Sequence, residues 1–388
     1  MIVIGVTGTS GKTTTASMIY HVLKSAGKKV SVITTVSAII NGVNFDTGFH
    51  VTSPSPFSLQ KYLNLAYKGG SEYFVLEVTS HALDQYRVFG TNIKIAVITN
   101  ISHEHIDYHK TLEKYRDAKA KILKVVQYAV LNADDASFDY LSNKTSGKVI
   151  SFGIDKKADI NLKNYPVKSR FVGKFQLYNF LAATGVANLL KIDKKNIISA
   201  IKSYPGIKGR WEELTLHKPF RVIIDFAHKP NALEEVLKAV RTITRRKLIV
   251  VFGCAGLRDH LKRPMMGKIA AKLADYVILT AEDPRTEDVR DIISEIAQGF
   301  SSNLISEADK KNKIKNLSVK TKGKYFWKIP DRQEAINFSI RRLAQKGDVI
   351  LLCGKGHEKS MCYGKIEYPW DEIKAVEKAI NGTVKTIQ

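Results

Sequence analysis

The run Gly8-Thr9-Ser10-Gly11-Lys12-Thr13-Thr14 constrains this chain more than any other feature, because of what lies on either side of it. Before it comes a short β-branched stretch at 2–6 (IVIGV). After it, from 12 to about 25, the apolar residues Ala16, Ile19, Tyr20 and Leu23 recur at helical spacing and Gly27 closes the segment. A glycine-rich turn from strand to helix aims successive backbone N–H groups at one point, at the positive end of the helix, which suits a phosphate. Lys12 is placed to reach the β- and γ-phosphates of a nucleotide, and the Thr13 hydroxyl to ligate Mg²⁺. The strict form of this loop has Gly where Val6 stands, so this is a variant of it. The alternative is an ordinary glycine-rich turn, and the position of GKT at the junction favours nucleotide binding.

Strand-like runs at 30–34, 73–78, 95–99 and 129–132 alternate with helical stretches such as 58–68 and 112–125. All-apolar strands separated by helices predict an α/β fold with a mostly parallel sheet covered on both faces. The pattern restarts after Pro205-Gly206-Ile207-Lys208-Gly209, with strands at 221–225, 248–252, 276–280 and 349–353 and helices at 232–242 and 266–274. That restart predicts two domains, 1–208 and 209–388, hinged at the Pro/Gly-rich stretch. The Lys/Asn-rich segment 308–324 reads as a solvated loop.

With 388 residues there is length enough for two or three cores. No apolar run approaches the ~20 residues that span a bilayer, and the N-terminus has no basic region ahead of an apolar one, so neither a membrane protein nor a secreted one is expected. Cys254, Cys353 and Cys362 make no CxxC pair, which points to the reducing cytoplasm. Sixty-one Lys and Arg against 37 Asp and Glu give a net charge of +24, a field that favours anionic partners. No RNP pattern, zinc knuckle or helix-turn-helix signature accompanies it, so nucleic acid is not the expected partner.

Further polar clusters close the apolar strands. Glu77-Val78-Thr79-Ser80-His81 ends one, and Asn100-Ile101-Ser102-His103-Glu104-His105-Ile106-Asp107-Tyr108-His109 ends another. In an open parallel sheet ligands bind beyond the carboxyl ends of the strands, where Glu77, His105 and the glycine-rich loop would meet as a Mg²⁺ site; the alternative is that the histidines merely cap a strand. Zinc is disfavoured because the histidine spacing fits neither HExxH nor HxxEH. In the second half Asp225-Phe226-Ala227-His228, Gly253 to Asp259, Glu282-Asp283-Pro284-Arg285 and Gly354-Lys355-Gly356-His357-Glu358 fall at four strand ends, which predicts one rim facing a cleft.

Taken together these motifs resemble the Mur ligase family, nearest the type that adds a dibasic amino acid to UDP-N-acetylmuramoyl-dipeptide in peptidoglycan synthesis. The resemblance covers essentially the whole chain. It implies a P-loop ATPase-like central domain joined to a Rossmann-like C-terminal α/β domain. It also implies an ATP-dependent, ADP-forming acid–amino-acid ligase with two Mg²⁺ ions. GVTGTSGKTTT is similar to the family's ATP loop (Gly8 to Thr14). His50-Val51-Thr52-Ser53-Pro54 stands where the family contacts its donor substrate, so Thr52 and Ser53 are assigned there, as are Thr79, Gln85 and Arg87. TNISHEHIDYHKT resembles the signature whose His binds Mg²⁺, which falls to His105, with Glu104 in place of Asp. Tyr115-Arg116-Asp117-Ala118-Lys119 matches the stretch carrying a carbamylated lysine, so Lys119 joins Thr13, Glu77 and His105 as a metal ligand, against the alternative of a surface helix lysine.

Within Phe175-Gln176-Leu177-Tyr178-Asn179, Asn179 is assigned to adenine; Arg210 and Asp225 are assigned to ATP from the second domain. Arg258, Glu282, Asp283, Arg285, Gly354 and Glu358 are assigned to the incoming amino acid. Arg285 closes an EDPR segment and resembles the enzymes that select meso-diaminopimelate, although Glu282 and Asp283 depart from the usual DNPR. The family's N-terminal UDP-gripping domain is not found ahead of the ATP-loop strand. The chain is expected to act as a monomer, with the UDP moiety held by another protein or a weaker surface. A folylpolyglutamate- or cyanophycin-synthetase-like ligase acting on a different donor is one alternative, and a nucleic-acid-stimulated P-loop NTPase another.

Overall fold

The computed structural model describes residues 1–45, 54–102, 106–167, 173–300, 306–307 and 324–381. They form two compact units, Met1–Pro205 and Gly206–Gln388. Thr52, Ser53, His103, Glu104, His105 and most of the 308–324 stretch lie outside the described residues.

The first unit is built on eight strands: β1 (Ile2–Thr7), β2 (Val30–Ile33), β3 (Ala38–Ile40), β4 (Val43–Phe45), β5 (Tyr73–Glu77), β6 (Ile93–Ile98), β7 (Tyr128–Asn132) and β8 (Lys148–Phe152). Their order across the sheet is β4-β3-β2-β5-β1-β6-β7-β8. All run parallel except β3 and β4, which form an antiparallel edge. Ile4, Val6, Phe74, Val75, Leu76, Ala96 and Val97 are buried throughout, which is why these strands read as unbroken apolar runs and not as alternating ones. At ~1.5–3 kcal/mol for each large aliphatic side chain buried, this double-sided core holds the sheet together. Helices Lys12–Ser25 and Lys174–Leu189 pack on one another. Leu59 and Leu63 of the helix Pro56–Lys68 and Tyr115 of the helix Leu112–Ala120 join the sheet's core.

Sequence and structure differ in places. The helix expected over 112–125 ends at Ala120, and Lys121–Leu123 makes one tighter turn. The helices expected from 58, 232 and 266 begin earlier, at Pro56, Pro230 and Lys262; in the first two a proline takes the first-turn position it suits.

The second unit carries a seven-stranded sheet of β9 (Glu212–Glu213), β10 (Arg221–Asp225), β11 (Leu248–Phe252), β12 (Tyr276–Leu279), β13 (Ser306–Glu307), β14 (Tyr325–Lys328) and β15 (Val349–Cys353), in the order β13-β14-β12-β11-β15-β10-β9. Only β9 is antiparallel. The loops after β10, β11, β12 and β15 therefore leave the same edge. A two-stranded ribbon, β16 (Ser360–Tyr363) and β17 (Ile366–Pro369), follows. Among the described residues no helix is long and apolar enough to cross a membrane.

Candidate active site

The glycine-rich loop is strapped to the end of β6. Thr9 N donates to Asn100 O at 2.9 Å, Ser10 N to Asn100 Oδ1 at 2.9 Å, and Thr99 Oγ1 to Ser10 O at 2.6 Å. Gly11 has φ 80° and is the N-cap of the helix Lys12–Ser25, and among the described residues no side chain caps that end. The leading amides are thus presented as a phosphate cradle. A Cβ on Gly11 would sit 2.2 Å from Asn179 Oδ1, so the tight contact with Asn179 needs glycine as much as the backbone angle does. Asn179 is itself fixed by Thr15 Oγ1 at 3.2 Å.

Four predicted residues converge on this loop. Lys12 Nζ donates to Gly8 O and Thr9 O, each at 3.0 Å. The Thr13 hydroxyl donates to Glu77 Oε1 at 2.9 Å, while Thr35 N donates to Glu77 Oε2 at 2.8 Å; Glu77 is buried at the end of β5. Lys119 Nζ reaches Gly8 O at 2.8 Å and is only 1% exposed, which rules out the surface-lysine alternative. Burial, with Lys12 close by adding repulsion, pushes its amine well below the ordinary lysine range. Two ammonium groups over one carbonyl is a costly arrangement, and loss of the Lys119 proton relieves it.

A cleft of about 250 Å³ opens beside Gly11, lined among others by Asn100, Asn132, Asp134, Phe175, Tyr178 and Asn179. Tyr178 OH donates to Asp134 Oδ2 at 2.9 Å, and the same carboxylate accepts the amides of Ile154, Asp155 and Lys156, so the ring is rigidly placed. An aromatic wall with amide groups around it suits a flat heterocycle. The sequence reading assigns no role to Asn132, Asp134 or Tyr178; the Asn-Ala-Asp-Asp run closing β7 was the available signal.

Of the donor-assigned residues, Thr79, Gln85 and Arg87 lie on one short helix and the turn that follows it. Thr79 Oγ1 accepts from Ala82 N at 3.0 Å and caps the helix Ser80–Asp84, and Gln85 and Arg87 follow directly. Gln85 Nε2 donates to Tyr108 OH at 3.4 Å, and the buried His109 ring meets Ser80 Oγ at 3.1 Å. Two further histidines of that signature, His103 and His105, lie outside the described residues.

In the second unit Asp225 accepts Trp211 N and Ala227 N, each at 2.8 Å, and the Arg210 guanidinium lies 4.2 Å from the centre of the Phe226 ring. Burial raises the Asp225 carboxyl and pushes His228 down to about 3, leaving that imidazole neutral. The acceptor-assigned residues gather at the ends of β12 and β15. Lys355, fully buried, bridges Asp283 Oδ1 at 2.7 Å and Glu358 Oε2 at 2.8 Å. Burial pushes Glu282 up to about 7, and its Oε2 has no hydrogen-bond partner among the described residues. Gly354, at φ 104°, leaves room beside that oxygen, because a Cβ there would lie 2.9 Å from it. Arg285 takes φ 55° and its amide donates to Cys362 O at 3.0 Å. Arg258 is exposed on the loop after β11, which is tied to the loop after β12 by Gly256 N donating to Asp283 O at 2.8 Å.

Residues 6–187 match the Mur ligase middle domain and residues 209–356 match the Mur ligase glutamate ligase domain. The chain belongs to the Mur ligase family. This Mur ligase is 35% identical to the UDP-N-acetylmuramoyl-L-alanyl-D-glutamate–2,6-diaminopimelate ligase of Bacillus licheniformis, over 97% of its own length and 78% of the relative's. It is 36% identical to the ligase of the same name from Aquifex aeolicus, over 98% and 77%. A solved structure of a ligase of that name superposes with a TM-score of 0.65 at 30% identity, covering 98% of this chain and 78% of that one. The FolC structure from E. coli, solved with ADP, superposes with a TM-score of 0.66 at 17% identity, covering 91% and 86%, and shares the fold. This Mur ligase is therefore an enzyme of the ADP-forming acid–amino-acid ligase class, and use of ATP goes with the family.

Proposed function

We propose that this Mur ligase joins a dibasic amino acid, meso-diaminopimelate foremost, to the free carboxylate of a UDP-N-acetylmuramoyl-dipeptide. The observation that supports it best is the 35% identity over 97% of the chain to a ligase named for that reaction. The donor carboxylate attacks the γ-phosphorus of ATP and ADP leaves; the acceptor amine then attacks the acyl-phosphate carbon, and phosphate leaves with the oxygen that had bridged.

The loop amides from Gly8 to Thr14 and Lys12 hold the phosphates, with Lys12 swinging from its own loop carbonyls onto developing negative charge. Asn179 and the Phe175–Tyr178 cleft take the adenine. Thr79, Gln85 and Arg87 take the donor, along with Thr52 and Ser53.

Thr13 and Glu77 would hold Mg²⁺, with His105 and a carbamylated Lys119 completing the set. The donors fit: two adjacent oxygens on rigid elements suit a hard cation that draws its other ligands from phosphate and water. When bound, the ion supplies charge neutralisation on the phosphoryl oxygens. A protonated Lys119 would not fit beside it. A neutral, buried amine can add to CO2 and release a proton, becoming an anionic oxygen ligand, and burial shifts Lys119 toward the neutral form. Around the acceptor, Lys355 engages Asp283 and Glu358 with one ammonium against two carboxylates, and Glu282 Oε2 is left to meet a cationic group.

The test is an ADP-release screen of amino acids against UDP-muramoyl-dipeptide, with glutamyl and aspartyl donors as controls. Release that needs meso-diaminopimelate and the muramoyl donor together is the expected result. Release only with a folate or an aspartyl polymer would overturn the donor assignment.

A further inference from the structure

Arg332 opens the helix Arg332–Phe338 and its side chain is fully buried. Nη1 donates to Ala281 O at 3.1 Å and Nη2 to Cys353 O at 2.9 Å. Ala281 immediately precedes Glu282, and Cys353 immediately precedes Gly354. These two strand ends do not belong to paired strands, because β11 lies between β12 and β15. The ladder's last rungs are Phe252 with Leu279 on one side and Val251 with Leu352 on the other. Past those rungs, the planar fork of Arg332 bridges the two chains.

The fork is itself held from behind. Glu372 accepts Nε on Oε2 at 3.1 Å and Nη2 on Oε1 at 2.5 Å, and Trp370 Nε1 donates to the same Oε2 at 2.7 Å. Trp370 N in turn donates to Lys359 O at 2.8 Å, just beyond Glu358. Lys355 ties the same two loops at their side chains, through Asp283 and Glu358. A buried ion pair adds little net stability over an apolar pair of the same volume. An apolar pair cannot hold two carbonyl groups at a fixed separation, whereas a guanidinium with five donors in one plane can.

We infer that Arg332, locked by Glu372 and Trp370, is a positioning residue that sets the spacing between the Glu282–Arg285 and Gly354–Glu358 loops and so the fit of the acceptor amino acid. It acts through backbone carbonyls and touches no substrate. The inference rests on the reading that those loops hold the acceptor.

The experiment compares Arg332→Lys with wild type, measuring KM for meso-diaminopimelate, KM for ATP and the thermal midpoint. Lysine keeps the charge facing Glu372 and loses the two-carbonyl span. The acceptor KM should rise about tenfold or more, as displaced positioning groups do, while the ATP KM stays within about twofold. A lower midpoint with the two KM values unmoved, or moved together, would make Arg332 structural only and overturn the inference. Trp370→Phe removes one hydrogen bond from Glu372 and carries the test if Arg332→Lys does not fold. It should raise the acceptor KM about threefold with the ATP KM unchanged, and an unchanged acceptor KM would count against the inference. Arg285→Lys separates the inference from the reading beneath it. If that variant leaves the acceptor KM unmoved, the loops do not hold the acceptor; if it raises that KM and Arg332→Lys does not, the positioning role alone is wrong.

Discussion

Lys12→Ala is expected to lower kcat for ADP release by about a hundredfold to a thousandfold, with the fold and the thermal midpoint nearly intact. In the structure the ammonium rests on Gly8 O and Thr9 O, contacts that the loop's bonds to Asn100 and Thr99 make dispensable for its shape. The stabilisation lost is therefore of charge that develops in the reaction, not of the loop. Stopped-time ADP assays at saturating ATP, donor and acceptor, paired with a melting curve, check both halves. Phosphate release at the wild-type rate by this variant, dependent on donor and amino acid, would remove Lys12 from the mechanism.

Lys119→Met should cost at least about a hundredfold in kcat, because it deletes the group proposed to become an anionic ligand beside Glu77. The wild type, prepared in CO2-free buffer, should be sluggish and recover with bicarbonate, whereas Lys119→Met should not respond. Stability should move in the other direction. Burial holds the unmodified amine well below its unfolded value, so between the two the unfolded chain binds more protons, and stability rises with pH up to the ordinary lysine value. In CO2-free buffer Lys119→Met should thus melt above the wild type, by most at low pH and by a margin that closes as pH rises. Half or more of wild-type activity in this variant would eliminate the carbamate role.

How far the sequence announced these features depends on the range over which each is determined. The strand–Gly8-to-Thr13–helix unit is local, and it was legible in full. Glu77 was legible as a carboxylate ending an apolar strand, and the parallel pairing of β5 with β1 is what carries it to Thr13. The β3–β4 edge was not, because its three-residue strands are partly exposed and carry no periodic signal. Lys119 was visible only through the family's motif: it sits in the polar run LEKYRDAKA, where hydropathy predicts solvent and the fold instead turns the amine onto Gly8. The clasp of Arg332 on Glu372 joins residues 40 apart in sequence, and the two carbonyls it holds belong to strands separated by a third. No spacing rule reaches that far. The Tyr178–Asp134 contact is hidden for the same reason.

The central claim is that the donor's own carboxylate is phosphorylated before the amide forms. Supplying UDP-muramoyl-dipeptide labelled with ¹⁸O in its reacting carboxylate and analysing the released phosphate by mass spectrometry tests it directly. The account predicts one labelled oxygen in each phosphate formed; phosphate free of label, alongside full amide yield, would contradict it.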